Sequence, residues 1–111
     1  MGFTNRKDPK GVLIVDVEGQ LIVGNRQEFK QKVLDALEAG ERKVLVDFTR
    51  TGYIDSSGLG VLVSLSKKIR DEGGDLRLAG LNDDLKTLFE LTKLDTLFAI
   101  SDSPADALAA F

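Results

Sequence analysis

Apolar residues fall along this chain in short clusters whose period changes from one segment to the next. Val12-Leu13-Ile14-Val15 followed by Asp16-Val17 reads as a largely buried strand. Gly19-Gln20 predicts a turn, with Leu21-Ile22-Val23 as a short return strand. Gly24-Asn25 then supplies a break and a helix N-cap. From Arg26 to Ala39 the apolar residues Phe29, Val33, Ala36 and Leu37 share one face at helical spacing, and Gly40 stops the helix. Lys43 to Phe48 is again short and β-branched, hence a buried strand, with Thr49 to Ile54 crossing over from it. A second helix runs from there to about Glu72, where Gly73-Gly74 end it. Asp75 to Ala79 alternates as a strand does, and Asn82 caps a third helix with its stripe at Leu85, Leu88, Phe89 and Thr92. Thr96 to Ile100 forms a last short strand, and Ser103-Pro104 opens a terminal helix.

The predicted order is β-β-α-β-α-β-α-β-α. Strands alternating with helices imply right-handed crossovers and a mostly parallel sheet, while the initial β-β pair adds an antiparallel element. The expected fold class is therefore α/β, a mixed and mostly parallel sheet with about five strands and four helices. At 111 residues the chain forms one domain, expected over residues 11–111, with residues 1–10 as a loose N-terminal segment.

Composition narrows the function. Forty-two per cent apolar and 30% charged residues are ordinary for a globular protein. No apolar run reaches the ~20 residues of a membrane span, and the polar N-terminus lacks a signal peptide's apolar core, so a cytoplasmic protein without membrane contact is expected. A net charge of −3 with scattered signs argues against nucleic-acid binding. The absence of histidine removes the usual general base and excludes a Ser-His-Asp hydrolase. The absence of cysteine removes thiol nucleophiles and thiolate metal sites. Asp16, Asp47 and Asp55 fall near strand ends, but three acids without histidine make a poor metal site.

Candidate chemistry concentrates in YIDSSGLG, residues 53–60. Asp55, Ser56 and Ser57 precede an apolar helix, the composition of an N-cap. They also follow a strand in an α/β pattern, which puts two hydroxyls at a helix mouth on the side where ligands and partners meet such sheets. With Leu62 at the centre of the buried face, Gly58, Leu65 and Ile69 lie beside it at about 100° per residue, so Gly58 allows close packing on the sheet. Gly60, Ser64, Lys67, Lys68 and Asp71 fall on the wet face. A glycine there costs about 1 kcal/mol of helix propensity with no packing reason, which suggests that something approaches from outside. Leu59 and Val63 flank the stripe as a candidate apolar contact for a partner. Gly58-Leu59-Gly60 is a weak nucleotide signal, since the third glycine and a P-loop lysine are both lacking. Lys67-Lys68 also read as a solvated face, and Asp83-Asp84 as complements to a helix dipole.

From about residue 12 to 108 the chain resembles the anti-sigma-factor antagonist family, whose fold is the STAS domain. The residues that carry the likeness are DSSGLG after a strand and before a helix, then GGDLRLAGL and LFELTKLDTLF. The resemblance implies a bacterial partner-switching protein with no enzymatic activity and no cofactor of its own. It implies phosphorylation at Ser56 by a serine kinase that doubles as an anti-sigma factor. The unphosphorylated form would bind that kinase and free a sigma factor, and a serine phosphatase would reset the phosphorylated form. Asp55, Ser57, Leu59, Gly60, Val63, Ser64 and Lys67 are the expected partner-binding residues, with no small-molecule substrate. Gly19-Gln20-Leu21-Ile22-Val23-Gly24 departs from the family's pattern by carrying apolar residues where an acid commonly falls. An alternative within the same family is a constitutive scaffold module of a signalling or transport assembly, independent of phosphorylation. A small enzyme or nucleotide-binding domain is a third reading, which calorimetry with nucleotide would test.

Overall fold

The structure, a computed structural model, describes residues 2–111. Six strands and four helices follow in the order β1 (Gly2–Lys7), β2 (Leu13–Leu21), α1 (Arg26–Glu38), β3 (Lys43–Asp47), β4 (Thr51–Ile54), α2 (Ser56–Asp71), β5 (Asp75–Ala79), α3 (Asp83–Leu91), β6 (Ala99–Ser101) and α4 (Pro104–Ala110), with one 3-10 turn at Leu94–Thr96. The sheet runs β1-β2-β3-β5-β6, with β4 also paired to β2. Among the described residues β1 against β2 is the one antiparallel pair; β2-β3, β2-β4, β3-β5 and β5-β6 are parallel.

Because the chain advances across the sheet in a single direction, right-handed crossovers put α1, α2 and α3 on one face. That face holds the main core. Leu13, Val15, Val17, Val44, Val46, Leu76 and Leu78 meet Phe29 and Val33 of α1, Leu62, Leu65 and Ile69 of α2, and Leu85 and Phe89 of α3. Val12 and the alternate strand residues Ile14, Leu45 and Ala79 point the other way, where Ala107, Leu108 and Phe111 pack on them. Apolar residues at successive positions of β2 and β3 thus reflect burial on both sides.

Several expectations are corrected. Residues 2–7 are not loose: they form the edge strand β1, in register from Gly2 opposite Glu18 to Lys7 opposite Leu13. Phe3 packs on Phe29 with ring centroids 5.3 Å apart, Arg6 Nε donates to Asp16 Oδ2 at 2.7 Å, and Lys7 pairs with Glu41 at 2.8 Å. The Asp8 carboxylate accepts from Lys10 N and Val12 N and closes the turn. Met1 lies outside the described residues.

Gly19-Gln20 is not a turn either. β2 continues through it to Leu21, with a register shift between Gly19 and Gln20 and Gly19 at φ +96°. A glycine within a strand marks a bulge, and this one turns Leu21 into the core opposite Ile54. The antiparallel pair is β1 with β2, so Leu21-Ile22-Val23 is no return strand. Finally, part of the expected crossover at 49–54 is strand β4, while the last strand starts at Ala99 and not at Thr96.

Candidate functional site

β4 ends at Ile54, and Asp55 follows in extended conformation (φ −90°, ψ 179°) as the N-cap of α2. Its amide donates to Leu21 O at 3.1 Å, and its carbonyl accepts from Leu59 N at 3.1 Å. The carboxylate has two further tasks. Oδ1 accepts from Gly58 N at 2.8 Å, and Oδ2 accepts from Val23 N at 3.0 Å. One residue therefore caps α2 and ties its mouth to the loop that leaves β2. The Gly58 N–H, foremost, holds the Asp55 carboxyl below the ordinary aspartate range; the N–H groups of Val23 and Ser57 and the charge of Arg26 add to it, against partial desolvation.

Asp55 fills the cap alone. Ser56 is exposed at the first position of α2 and Ser57 is half-buried, and neither hydroxyl bonds to another group among the described residues. A cap therefore accounts for the aspartate in DSS and leaves the serines without a structural duty.

Gly58 and Gly60 divide as the helix periodicity predicts. A Cβ on Gly58 would lie 2.6 Å from Leu21 O and 2.9 Å from Ile54 Cγ2, whereas a Cβ on Gly60 would meet nothing within 4 Å. Ser56, Gly60 and Ser64 follow one another at four-residue spacing along the exposed face. Lys67 lies on that face too and is paired to Asp71 at 2.9 Å. Val63 is partly exposed at its edge. Leu59 is different: it is 8% exposed and packed into the main core, which leaves it little surface to offer a partner. It follows Gly58 at the foot of the helix, where α2 comes down onto β4.

Two apolar side chains beside Asp55 escaped the sequence reading. Tyr53 is 57% exposed and Val23 is 62% exposed. Tyr53 sits opposite Gln20 in the β2-β4 pairing, and Val23 N is bonded to Asp55. Alternation counted back from the buried Ile54 points Tyr53 outward, but the buried Thr51 breaks that period, so residues 51–54 carry no clean pattern. Val23 depends on a loop held by Asp55 across 32 residues of sequence, which no local pattern contains.

Among the described residues, no group of three or more His, Cys, Asp or Glu side chains is placed to hold a metal ion. Asp16 and Asp47 are register partners in β2 and β3, and Arg6 bonds to both. They line a hollow of about 490 Å³ on the α4 side of the sheet, away from α2. No described helix is long and apolar enough to cross a membrane.

A match to the STAS domain family covers residues 4–107. The chain belongs to the STAS domain family. Its relatives include BtrV of Bordetella bronchiseptica, a candidate anti-sigma factor antagonist, 31% identical over 101 residues that make up 91% of this chain and 87% of BtrV. The crystal structure of TM1081 from Thermotoga maritima, likewise a candidate antagonist, superposes with a TM-score of 0.91 at 29% identity, over 97% of this chain and 92% of that one. The Bacillus cell fate determinant SpoIIAA in its phosphorylated form shares the fold alone, with a TM-score of 0.75 at 16% identity, over 98% of each chain. This STAS domain thus stands among the anti-sigma factor antagonists, and its mixed sheet and four helices are the fold they share.

Proposed function

We propose that the protein is an anti-sigma factor antagonist whose hold on an anti-sigma kinase is set by phosphorylation of Ser56. The observation that carries the reading is the division of labour at the mouth of α2. Asp55 does all the capping, and Ser56 presents an unbonded hydroxyl on a face where Gly60 leaves room for another surface. Phosphoryl transfer would join the γ-phosphorus of a kinase-bound ATP to Ser56 Oγ, release the hydroxyl proton to a base on the kinase, and expel ADP. A phosphatase would return the group to water as inorganic phosphate. The domain acts as substrate and binder and catalyses neither step, and it works in the cytoplasm, where sigma factors act.

A phosphate carries close to two negative charges and would stand next to the fixed Asp55 carboxylate. α2 tolerates it, because anions suit a helix N-terminus. A complementary partner surface does not, since burying the added charge costs several kcal/mol. Release thus needs no rearrangement of the core. Val23 and Tyr53 supply the apolar contact in the unphosphorylated state, with Val63 at its edge. Val23 stands in the stretch where the family's acid is lacking, so this antagonist holds its partner there by apolar contact.

The test is binding of the purified kinase to the unaltered domain, Ser56→Ala and Ser56→Asp, by calorimetry. Ser56→Ala should bind as the unaltered domain does, and Ser56→Asp should lose about a hundredfold or more while remaining folded. Equal binding by all three would sink the switch and favour a constitutive module, for which the exposed Val23 and Tyr53 would suffice.

A further inference from the structure

The loop from β2 to α1 is braced at each step. Asn25 occupies the N-cap position of α1, but its side chain turns back into the loop and does not cap the helix. Its Nδ2 donates to Gln20 O at 2.8 Å, and its Oδ1 accepts from Ile22 N at 2.9 Å. Arg26 N donates to Ile22 O at 2.8 Å, and Val23 N reaches across to Asp55 at 3.0 Å. The loop is therefore pinned to the mouth of α2, and α1 and α2 start side by side. Arg26 is the first residue of α1. Its side chain is exposed and makes no ion pair or side-chain hydrogen bond among the described residues, unlike Arg6, Arg42, Arg50 and Arg77. Its charge nonetheless reaches the Asp55 carboxylate and contributes to holding it ionised.

We propose that Arg26 is the built-in counter-ion for a phosphate on Ser56, an unpaired guanidinium held at the adjoining helix start by the braced loop. This rests on the phosphorylation reading above. The Asp55 carboxylate cannot turn away from a phosphate, because Gly58 N and Val23 N hold both its oxygens. A second negative group at this mouth is stabilised further by a cation, and a guanidinium is suited to phosphate by its planar pair of donors. Phosphorylation would then draw Arg26 across the gap between α1 and α2. The phosphorylated face would differ from the unphosphorylated one in two side chains, Ser56 and Arg26.

The experiment uses the full chain with phosphoserine installed at position 56 during translation, so that no kinase is required. The ³¹P signal is followed against pH in the otherwise unaltered chain, in Arg26→Gln and in Lys43→Gln. Lys43 opens β3 at the end of the sheet opposite the mouth of α2. Asp55 is present in all three, so its effect cancels. Arg26→Gln should raise the midpoint of the phosphate titration by roughly half a unit, the scale of an exposed ion pair, and Lys43→Gln should leave it in place. In the chain without substitution, the Arg26 Nε–H resonance should move when the phosphate is present. An unmoved midpoint in Arg26→Gln, or an equal rise in Lys43→Gln, overturns the proposal. A kinase that ignores Ser56 would instead count against the switch, and would leave this titration readable.

Discussion

Gly58 and Gly60 lie two residues apart on one helix and answer to different neighbours. Gly58→Ala would force a Cβ to 2.6 Å from the Leu21 carbonyl oxygen, a backbone atom that cannot swing away. The overpacking should cost about 1–3 kcal/mol, outweighing the roughly 1 kcal/mol that alanine adds to helix propensity. A lower urea midpoint would show it. Gly60→Leu meets open space and should leave the midpoint unchanged or slightly higher, yet weaken kinase binding at least tenfold. Unfolding by Gly60→Leu would refute the assignment of the exposed face. Asp55 makes a pH prediction. Its carboxyl is depressed in the fold, so the stability it contributes is complete above the ordinary aspartate value near 4 and is lost as pH falls through its lower folded value. Asp55→Asn should therefore flatten the fall in urea midpoint between about pH 4 and 2. The same steep fall in the variant would show that other carboxylates govern it.

At the scale of elements, β1 is the strand that local pattern did not reveal. Its residues are polar apart from Gly2 and Phe3, because an edge strand pairs on one side only and shows its charged side chains to water. What anchors it is distant in sequence: Phe29 beneath Phe3, Asp16 and Asp47 beside Arg6, and Glu41 beside Lys7. Phe3→Ala should cost about 1–2 kcal/mol for a half-buried ring in an aromatic pair. Faster hydrogen exchange confined to residues 2–7 and their partners in β2 would accompany it. Normal exchange there would mean that β1 is held by its backbone bonds alone. The bulge at Gly19 belongs to this scale as well, since it lets one strand serve β3 with its first half and β4 with its end.

For the molecule as a whole, the two faces of the sheet are unequally protected. Three helices cover one face and the short α4 covers the other. Ending the chain at Asp102 would uncover Val12, Ile14, Leu45 and Ala79, all now at 1% exposure or less. The truncated protein should lose roughly 3 kcal/mol, bind a hydrophobic dye and associate as concentration rises. A monomer without dye binding would show that this face tolerates water.

Local pattern by itself determined all four helices almost to the residue, the buried strands at 43–47 and 75–79, and which of the α2 glycines is buried and which exposed. These features depend on contacts within a few turns, or on a period that neighbouring side chains already display. The likeness in DSSGLG and the segments after it pointed to the family, and the match over residues 4–107 bears it out. Tertiary structure alone decided that residues 2–7 are a strand, that β2 runs on through Gly19, that Leu59 is covered, and that Val23, Tyr53 and Arg26 gather around Asp55. Each depends on a partner 10 to 41 residues away or on how a helix foot meets a strand end, as with Arg6 and its two aspartates or Val23 and Asp55. A periodic pattern reports which side of an element is buried. It does not report which other element does the burying.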